Sequence, residues 1–511
     1  MNKFYFLALA ISLATATTRA QNARAQWSEK FQYKNEYITT VKNPAQDGFV
    51  MISYTPVSER FETNLAKCLV ITHYDKRLQF VSEKEVPLDE KELEPVHIIC
   101  MKNSFFLVSE KHRKSDNESD IDLTPLDIVN DKAGPTKAMF SYPIGSGGFL
   151  RLPKLVYSKD SGKVLIYVNY IRNNKENLQF ADCVINEKGE KVWSKQFDIP
   201  VPGIISLVYD TPKFIFNQAI DNDGDVYLLF APTEGGTGGK YRLLSIDNNG
   251  SLTHLDLALS QQYFCDAGIT VNEAGNIVFC GLYKENAKGN ITGYGIYALD
   301  RKTFQPVTSK ESKFEPGLVA KIAEDKQGAA RGENAGISDN FTISSIVAKP
   351  NGNVCFIAEF RENLQGRGSL FYNDGDLLVL EYKAAGEPSC IRVPKFQRSE
   401  NANFFGSFSA FENKNNLYLL YNDCAENLQS GDNLISFAFN ATHRSSLNLV
   451  VATINEKEKL SRKALLDFED ADLGPDPRRF NFISPGQIGL FGSRYKYAKR
   501  AEKAIGVLAV N

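Results

Sequence analysis

The chain stops inside a unit it has already repeated seven times, and the strand needed to finish that unit stands at its beginning. Seven segments carry an apolar run, then an Asp, Asn or substitute, then a polar turn: ITHYDKRL, DIVNDKAG, CVINEKGE, LSIDNNGS, YALDRKTF, LEYKAAGE and VATINEKE. Their anchors are Asp75, Asn130, Asn186, Asp247, Asp300, Tyr382 and Asn455, and an eighth copy, GVLAVN, breaks off at Asn511. Successive anchors lie 55, 56, 61, 53, 82, 73 and 56 residues apart. A period of this size points to stacked supersecondary units with a shared core. In the third copy the next strand reads VWSKQF, Val192–Phe197, and the matching string QWSEKF is Gln26–Phe31. A repeat cut in this way predicts a ring whose last unit borrows its final strand from the N-terminal end.

Each full unit reads as four short strands. In the fourth unit FIFNQAID and DVYLLFA flank the turn Asp221–Gly224, and YRLLSID and SLTHLDLAL flank Asn248–Gly250. Gly and Asn supply the positive φ that such turns need. Val, Tyr, Phe and Leu at period two suit a sheet face. The first hairpin recurs eight times, from TVKNPAQDGFVMISY to FISPGQIGLFGS. Four-stranded antiparallel units at this period are propeller blades. The expected fold is therefore all-β, an eight-bladed β-propeller closed by the N-terminal strand, with a seven-bladed ring as the alternative should the second unit prove too irregular.

The two-part pattern, an apolar run with [DN]-x-x-G followed by alternating apolar residues and a second [DN]-x-x-G, resembles bacterial exported β-propeller repeats of the NHL, YVTN and quinoprotein-like kinds. The resemblance covers nearly the whole chain. It implies the fold and no particular activity. VINEKGEKVW is similar to the tryptophan-docking repeat of the quinone-type propellers, with Trp27 and Trp193 in the docking place. No counterpart of the quinone site is recognisable, so that cofactor is not carried over.

Residues 1–25 read as a secretory signal. Lys3 supplies the positive start, FYFLALAISLA is too short to span a bilayer, and Ala20 and Ala25 end cleavage-type triplets. Residues 26–511 then form one domain, with an insertion over 317–339 between blades five and six whose LVAKIAEDKQ suits a short helix. The expected destination is the periplasm, cell surface or extracellular space. The net charge is −2, and no basic stripe with interleaved aromatics occurs, which argues against nucleic acid as a partner. No later apolar run is long enough to cross a membrane. Eight cysteines in an exported chain suggest disulfides, but they lie scattered in predicted strands, and Cys265 and Cys280 are out of register, so mostly free buried thiols are expected.

Linear motifs for chemistry are missing. The five histidines form no metal-type pair, and His97 and His254 read as strand residues. GGTGGKY fails the phosphate-loop pattern at Glu234 and Tyr241. DNDGD, Asp221–Asp225, lacks the Gly and Glu of an EF-hand loop and reads as a turn, with calcium the one ion it leaves open. No cofactor or metal is otherwise expected.

A site would then have to assemble from several blades. Connections between second and third strands, and between blades, are long, and alternate strand ends share a face. The long-loop face is thus the expected binding face. The residues expected at its channel mouth are His97, Lys154, Lys213, Asp266, Asn340, Asn403 and Arg479, with Tyr263 and Phe404 among the loop aromatics. Asp266 with Lys213 is a pair able to do acid–base work or to hold a charged ligand. The leading functional expectation is a non-catalytic propeller that binds a protein or glycan at the cell envelope. A carbohydrate-active or lactone-type propeller enzyme and a structural part of a surface assembly are the alternatives, because fold alone does not choose.

Overall fold

The computed structural model describes residues 24–32, 36–57, 65–89, 93–102, 104–113, 115–143, 153–171, 177–200, 218–230, 241–257, 263–286, 289–324, 336–365, 370–400, 406–429, 438–439, 447–468, 473–493 and 502–510. Their strands fall into eight sheets, one per repeat, antiparallel except where Arg398 and Ser399 of blade 6 pair in parallel with Ala438–Phe439. We number these blades 1 to 8 and their strands first to fourth from the axis outward. Blade 1 comprises Glu36–Lys42, Gly48–Pro56, Ala66–Asp75 and Phe80–Pro87 in that spatial order. Blade 2 is a full blade, so the ring has eight members; its irregularity is a fourth strand broken into Lys132–Ala133 and Lys137–Pro143.

Burial explains the residue pattern. The third strand of blade 7, Leu447–Ile454, is buried at every position, whereas the fourth strand of blade 1 is exposed except at Val86. Middle strands are covered on both faces by neighbouring blades and read as continuous apolar runs, while outer strands meet water on one side.

The closing blade forms as the cut repeat requires. Arg24–Trp27 pairs antiparallel with Gly506–Ala509, and Phe31–Gln32 continues beside Glu502 and Lys503. The strand begins two residues before the expected Gln26 and is interrupted over Ser28–Lys30. At the interruption Ser28 N donates to Ile505 O at 2.9 Å, which keeps the ladder in register. Trp27 packs on Gly506, where a Cβ would come within 2.9 Å of its ring.

Only one of the two tryptophans docks. Trp193 Nε1, from the fourth strand of blade 3, donates to Gly224 O in the first turn of blade 4 at 3.1 Å, and Gly224 holds φ 94°. Trp27 Nε1 is buried with no partner among the described residues. The anchors work as turn caps. The Oδ1 of Asp75, Asn186, Asp247 and Asn455 each accepts two backbone N–H groups two and four residues on, at 2.8–3.0 Å. In blade 2 the cap is Asp127, which accepts from Val129 and Asn130, so the expected anchor Asn130 is corrected to Asp127. Blade 6 carries Tyr382 at the anchor, and Asn353 Oδ1 caps the turn instead by accepting from Ala384 N. Asn511 and residues 1–23 lie outside the described residues.

The insertion starts with the helix Pro316–Glu324. Val319 and Ile322 are buried with Tyr294, Phe314 and Phe341 in the core between blades 5 and 6, and Ile337 then bridges to Ile291. Both described ends of the insertion are therefore fixed by packing. All eight cysteines are free. A bulge at Cys265 shifts the hairpin so that Cys280 faces Gly268, one residue from the expected Ile269. Burial pushes the Cys100, Cys183, Cys355 and Cys390 thiols up to about 12, which keeps them protonated and poor nucleophiles.

Deleting residues 24–32 is expected to lower the melting temperature by on the order of 10 °C or more, since it uncovers the Glu502–Ala509 edge and the core it shares with blade 7. Calorimetry of the deletion beside a Phe80→Ser control, which alters an exposed outer strand, measures the difference.

Candidate functional site

Two cavities open along the axis, towards opposite faces. The larger, about 780 Å³, is lined mainly by the first strands of blades 3 to 7, with His97 of blade 2 and Phe482 of blade 8 at its margin. Tyr157, Ile220, Ile269, Val271, Ile346 and Phe411 make its walls largely apolar, and Lys154, Gln218 and Glu412 add polar groups. Its rim includes the turn residues Ser158, Lys159 and Ser161, so it lies towards the short-turn end. Lys159 Nζ reaches across that end to Ala348 O of blade 6 at 3.3 Å and Glu273 of blade 5 at 3.5 Å. A cation from blade 3 thus straps the mouth to two blades that are not its neighbours.

The short-turn face spends its polar groups on joining neighbours. Lys163 Nζ and Asp160 N bond Asn222 of blade 4. Arg301 of blade 5 pairs with Asp221 and Asp223 of blade 4 at 2.5 and 2.6 Å. Asn272 donates to Gly352 O, Asn351 N to Asn415, and Asn413 to Val510 O, carrying the belt on to blade 8. His73 and Asp131 join blades 1 and 2 at 2.7 Å. The acidic turn Asp221–Asp225 belongs to this belt: Asp221 Oδ1 caps three backbone N–H groups and Oδ2 takes Tyr227 and Arg301.

The second cavity, about 370 Å³, lies towards the long-loop end between blades 6, 7 and 8. Arg361, Ser344, Ser345, Ser407, Ser409 and Arg478 surround it, over Phe408, Phe411 and Phe480. Ala410 and Phe411 line both cavities, so the two adjoin. Beneath the second lies a buried ion network. Lys395 Nζ donates to Glu359 Oε1 at 2.6 Å, both side chains being fully buried, and to Gln397 at 2.9 Å. Arg361 Nε bonds Glu359 Oε2 at 2.6 Å, and Arg361 Nη2 donates to Ser407 Oγ at 2.6 Å. Burial raises the Glu359 carboxyl, but Lys395 and Arg361 outweigh it and hold it below its ordinary range. Ser407 stands at φ 68°, held there by its N–H on Asp374 and its hydroxyl on Glu359. A non-glycine residue in that region stores strain of order 1–3 kcal/mol, and such strain gathers at binding sites.

The expected site residues divide among these features. Lys154 lines the larger cavity, with its ammonium 5.8 Å from the Tyr167 ring. His97 lines it too and bonds Pro153 O at 2.9 Å, and burial lowers its pKa. Asp266 is buried, and its Oδ2 accepts from Ile343 N of blade 6 at 2.5 Å, which makes it a stitch between blades. Asn340 accepts from Arg361 N through its carbonyl at 3.0 Å. Arg479 stacks 5.2 Å from the Phe491 ring beside Arg478. Tyr263 is half-buried at the start of the first strand of blade 5, opposite Lys284. Lys213, Asn403 and Phe404 lie outside the described residues. His254 is exposed on an outer strand. Tyr142 and Phe264 lie within strands and fill wedges between blades, Tyr142 donating to Glu110 and Phe264 meeting Tyr241, Tyr283 and Tyr297. Sequence reasoning missed Ser344 and Ser407 and did not name Arg361 among the site residues. Arg361 follows the buried run VCFIAEF as the first charge at the strand's long-loop end, which is the signal that marks it.

One interface holds polar groups without partners. Between blades 3 and 4, Gln218 Nε2 donates to Asp182 Oδ1 at 3.2 Å, while Asp182 Oδ2, Gln218 Oε1 and both amide atoms of Asn169 are buried and unbonded among the described residues. Burial pushes the Asp182 carboxyl up to about 8, against the lowering hydrogen bond from Gln218. Asp182 is then protonated at neutral pH and carries the donor that these acceptors lack. Its folded pKa lies above its ordinary 3.8, so its contribution to stability is full below about pH 4 and is lost as pH rises through about 8. Asp182→Asn, which keeps an acceptor for Gln218, is expected to melt higher than the parent at pH 8 and to lose the decline between pH 4 and 8. Melting curves across that range decide it, and parallel curves for the two proteins would contradict a protonated Asp182.

No family model and no curated protein matches the chain. Solved structures match over most of it at low identity. The β-propeller domain of the trilobed protease from Pyrococcus furiosus aligns at 10% identity and TM-score 0.36, over 86% of this chain and 98% of that one. The WD40 domain of SCAP from fission yeast aligns at 9% and 0.39, over 96% and 94%. The α-L-arabinanase of Penicillium chrysogenum aligns at 12% and 0.29, over 69% and 93%. At these scores the matches carry no inference about activity.

Proposed function

We propose that this chain is an exported, non-catalytic propeller that binds a glycan or protein of the cell envelope through its long-loop face. The observation that carries the reading is the contrast between the two faces. The short-turn face uses its polar side chains to join blades, and Lys159 straps its central mouth. The long-loop end holds a pocket walled by arginines, serines and phenylalanines from three blades. Few polar groups set among apolar and aromatic walls in a concavity is the composition of a ligand site. Among the described residues lining the two cavities, Glu412 is the one carboxylate, and its Oε1 is engaged by Asn415 N. This composition favours binding over acid–base chemistry, which needs a positioned pair. Export rests on the N-terminal segment read from the sequence, and the envelope is the destination proposed with it.

The test substitutes charge on each face and measures retention of isolated envelope polysaccharide by affinity electrophoresis. Phe480→Glu at the long-loop pocket is expected to weaken retention at least tenfold, and Lys188→Glu on the short-turn face to leave it unchanged. Loss confined to Lys188→Glu would overturn the assignment of the face.

A further inference from the structure

We infer that the pocket between blades 6, 7 and 8 is a subsite for an acidic sugar, with the carboxylate of a uronate-type ring held by Arg361 and Arg478 and its hydroxyls by the surrounding serines. The inference rests on the long-loop reading and gives it a ligand class. Each guanidinium has a carboxylate on one side and is open on the other. Glu359 takes Arg361 through Nε and Nη2, and Asp476 lies 3.5 Å from Arg478 Nε. Arg361 Nη1 and both terminal nitrogens of Arg478 make no bond among the described residues, and the two side chains keep 45% and 42% of their surface. A guanidinium already oriented by a buried carboxylate loses little freedom on meeting an anion, and its planar fork suits a carboxylate.

The remaining wall selects for a sugar. Ser344 sits at the bulge of the first strand of blade 6, and its Oγ is out of solvent with no partner among the described residues. A buried hydroxyl left unbonded is a penalty to the free protein, and a ligand hydroxyl within reach would recover it. Ser345, Ser407 and Ser409 also line the pocket, and Phe408 and Phe480 give it apolar flanks. Ser407 is held in its strained backbone by Asp374 and Glu359, so its hydroxyl position is set before any ligand arrives. At about 370 Å³ the pocket stands near the lower end of small-ligand sites. An acidic peptide would ask for an extended groove or a free sheet edge with backbone donors. This concavity is closed by side chains from three blades, which suits one or two sugar rings.

The experiment is calorimetric titration of the whole chain with short oligomers of galacturonate, glucuronate and mannuronate, each beside its methyl ester, which keeps the shape and removes the charge. At least one acid is expected to bind, and its ester at least tenfold more weakly. Arg478→Gln should weaken the acid at least tenfold and leave the ester unchanged. Ser344→Ala should weaken both severalfold with an unchanged or higher melting temperature, because the hydroxyl it removes bonds nothing in the free protein. Acid and ester binding alike, or an acid indifferent to Arg478→Gln, would overturn the acidic-sugar assignment while leaving a neutral glycan on this face intact. Absence of binding across the panel would also overturn it, and the face-swap experiment on envelope polysaccharide then decides separately whether the long-loop reading survives.

Discussion

The pairing of Arg24–Trp27 with Gly506–Ala509 is the contact on which the ring depends. A propeller blade is too small to bury its own two faces; each is covered by the blade before and after it. An open row of eight would leave one apolar face bare at each end and an unpaired strand edge beside it. Here the two ends of the chain meet in one sheet, so blade 8 gains its outer strand and the cores continue round the circle. Tyr37 of blade 1 stacks on Phe491 of blade 8 at 4.3 Å, and Asn481 donates to Thr40 O at 2.7 Å, which joins the last unit to the first.

Polar groups then fix the phase of each blade against the next. Apolar contact alone tolerates sliding, because it is roughly proportional to area and has no direction. Asp266 on Ile343 N, Ser407 N on Asp374 and Asn422 on Pro475 O are directional and buried. The ion pairs Lys349–Glu381 and Lys395–Glu359 lie almost wholly out of water. Such pairs add little net stability over apolar substitutes, since desolvation offsets most of the attraction. Their value here is positional. Glu359 is held by Lys395 and in turn holds Arg361 and Ser407, so a network deep in blade 6 sets the geometry of a pocket at the surface.

The faces divide their labour for a topological reason. Tight turns join first to second and third to fourth strands, and their Asp and Asn side chains are consumed in capping those turns and bonding the neighbouring blade. The opposite ends carry the long connections, where chain length is not dictated by a turn type and side chains from different blades converge. The larger axial cavity nevertheless lies towards the strapped short-turn end, and the pocket with open guanidiniums lies at the other.

The repeat period, the cut last copy and the two turn signatures determined the eight-bladed ring and its closure. Each of these is a local signal repeated along the chain, and a closed ring is the arrangement that satisfies all copies at once. Free thiols followed for the same reason, from cysteines placed in strands of different units. The anchors were legible as a type, though in blade 2 the turn uses Asp127 in place of Asn130, because a cap is chosen by where the chain reverses and not by alignment to the other copies. The candidate site was scarcely legible. Asp266 was expected at a channel mouth and is instead a stitch between blades, because a bulge at Cys265 turns it into the interface. Arg361, Ser344, Ser407 and Arg478 come from blades 6, 7 and 8, in stretches up to 134 residues apart, and no spacing in the sequence links them. Only the packing of blades 6, 7 and 8 on one another brings those strand ends together, and only burial decides which of their polar groups are used by the fold and which are left facing the pocket.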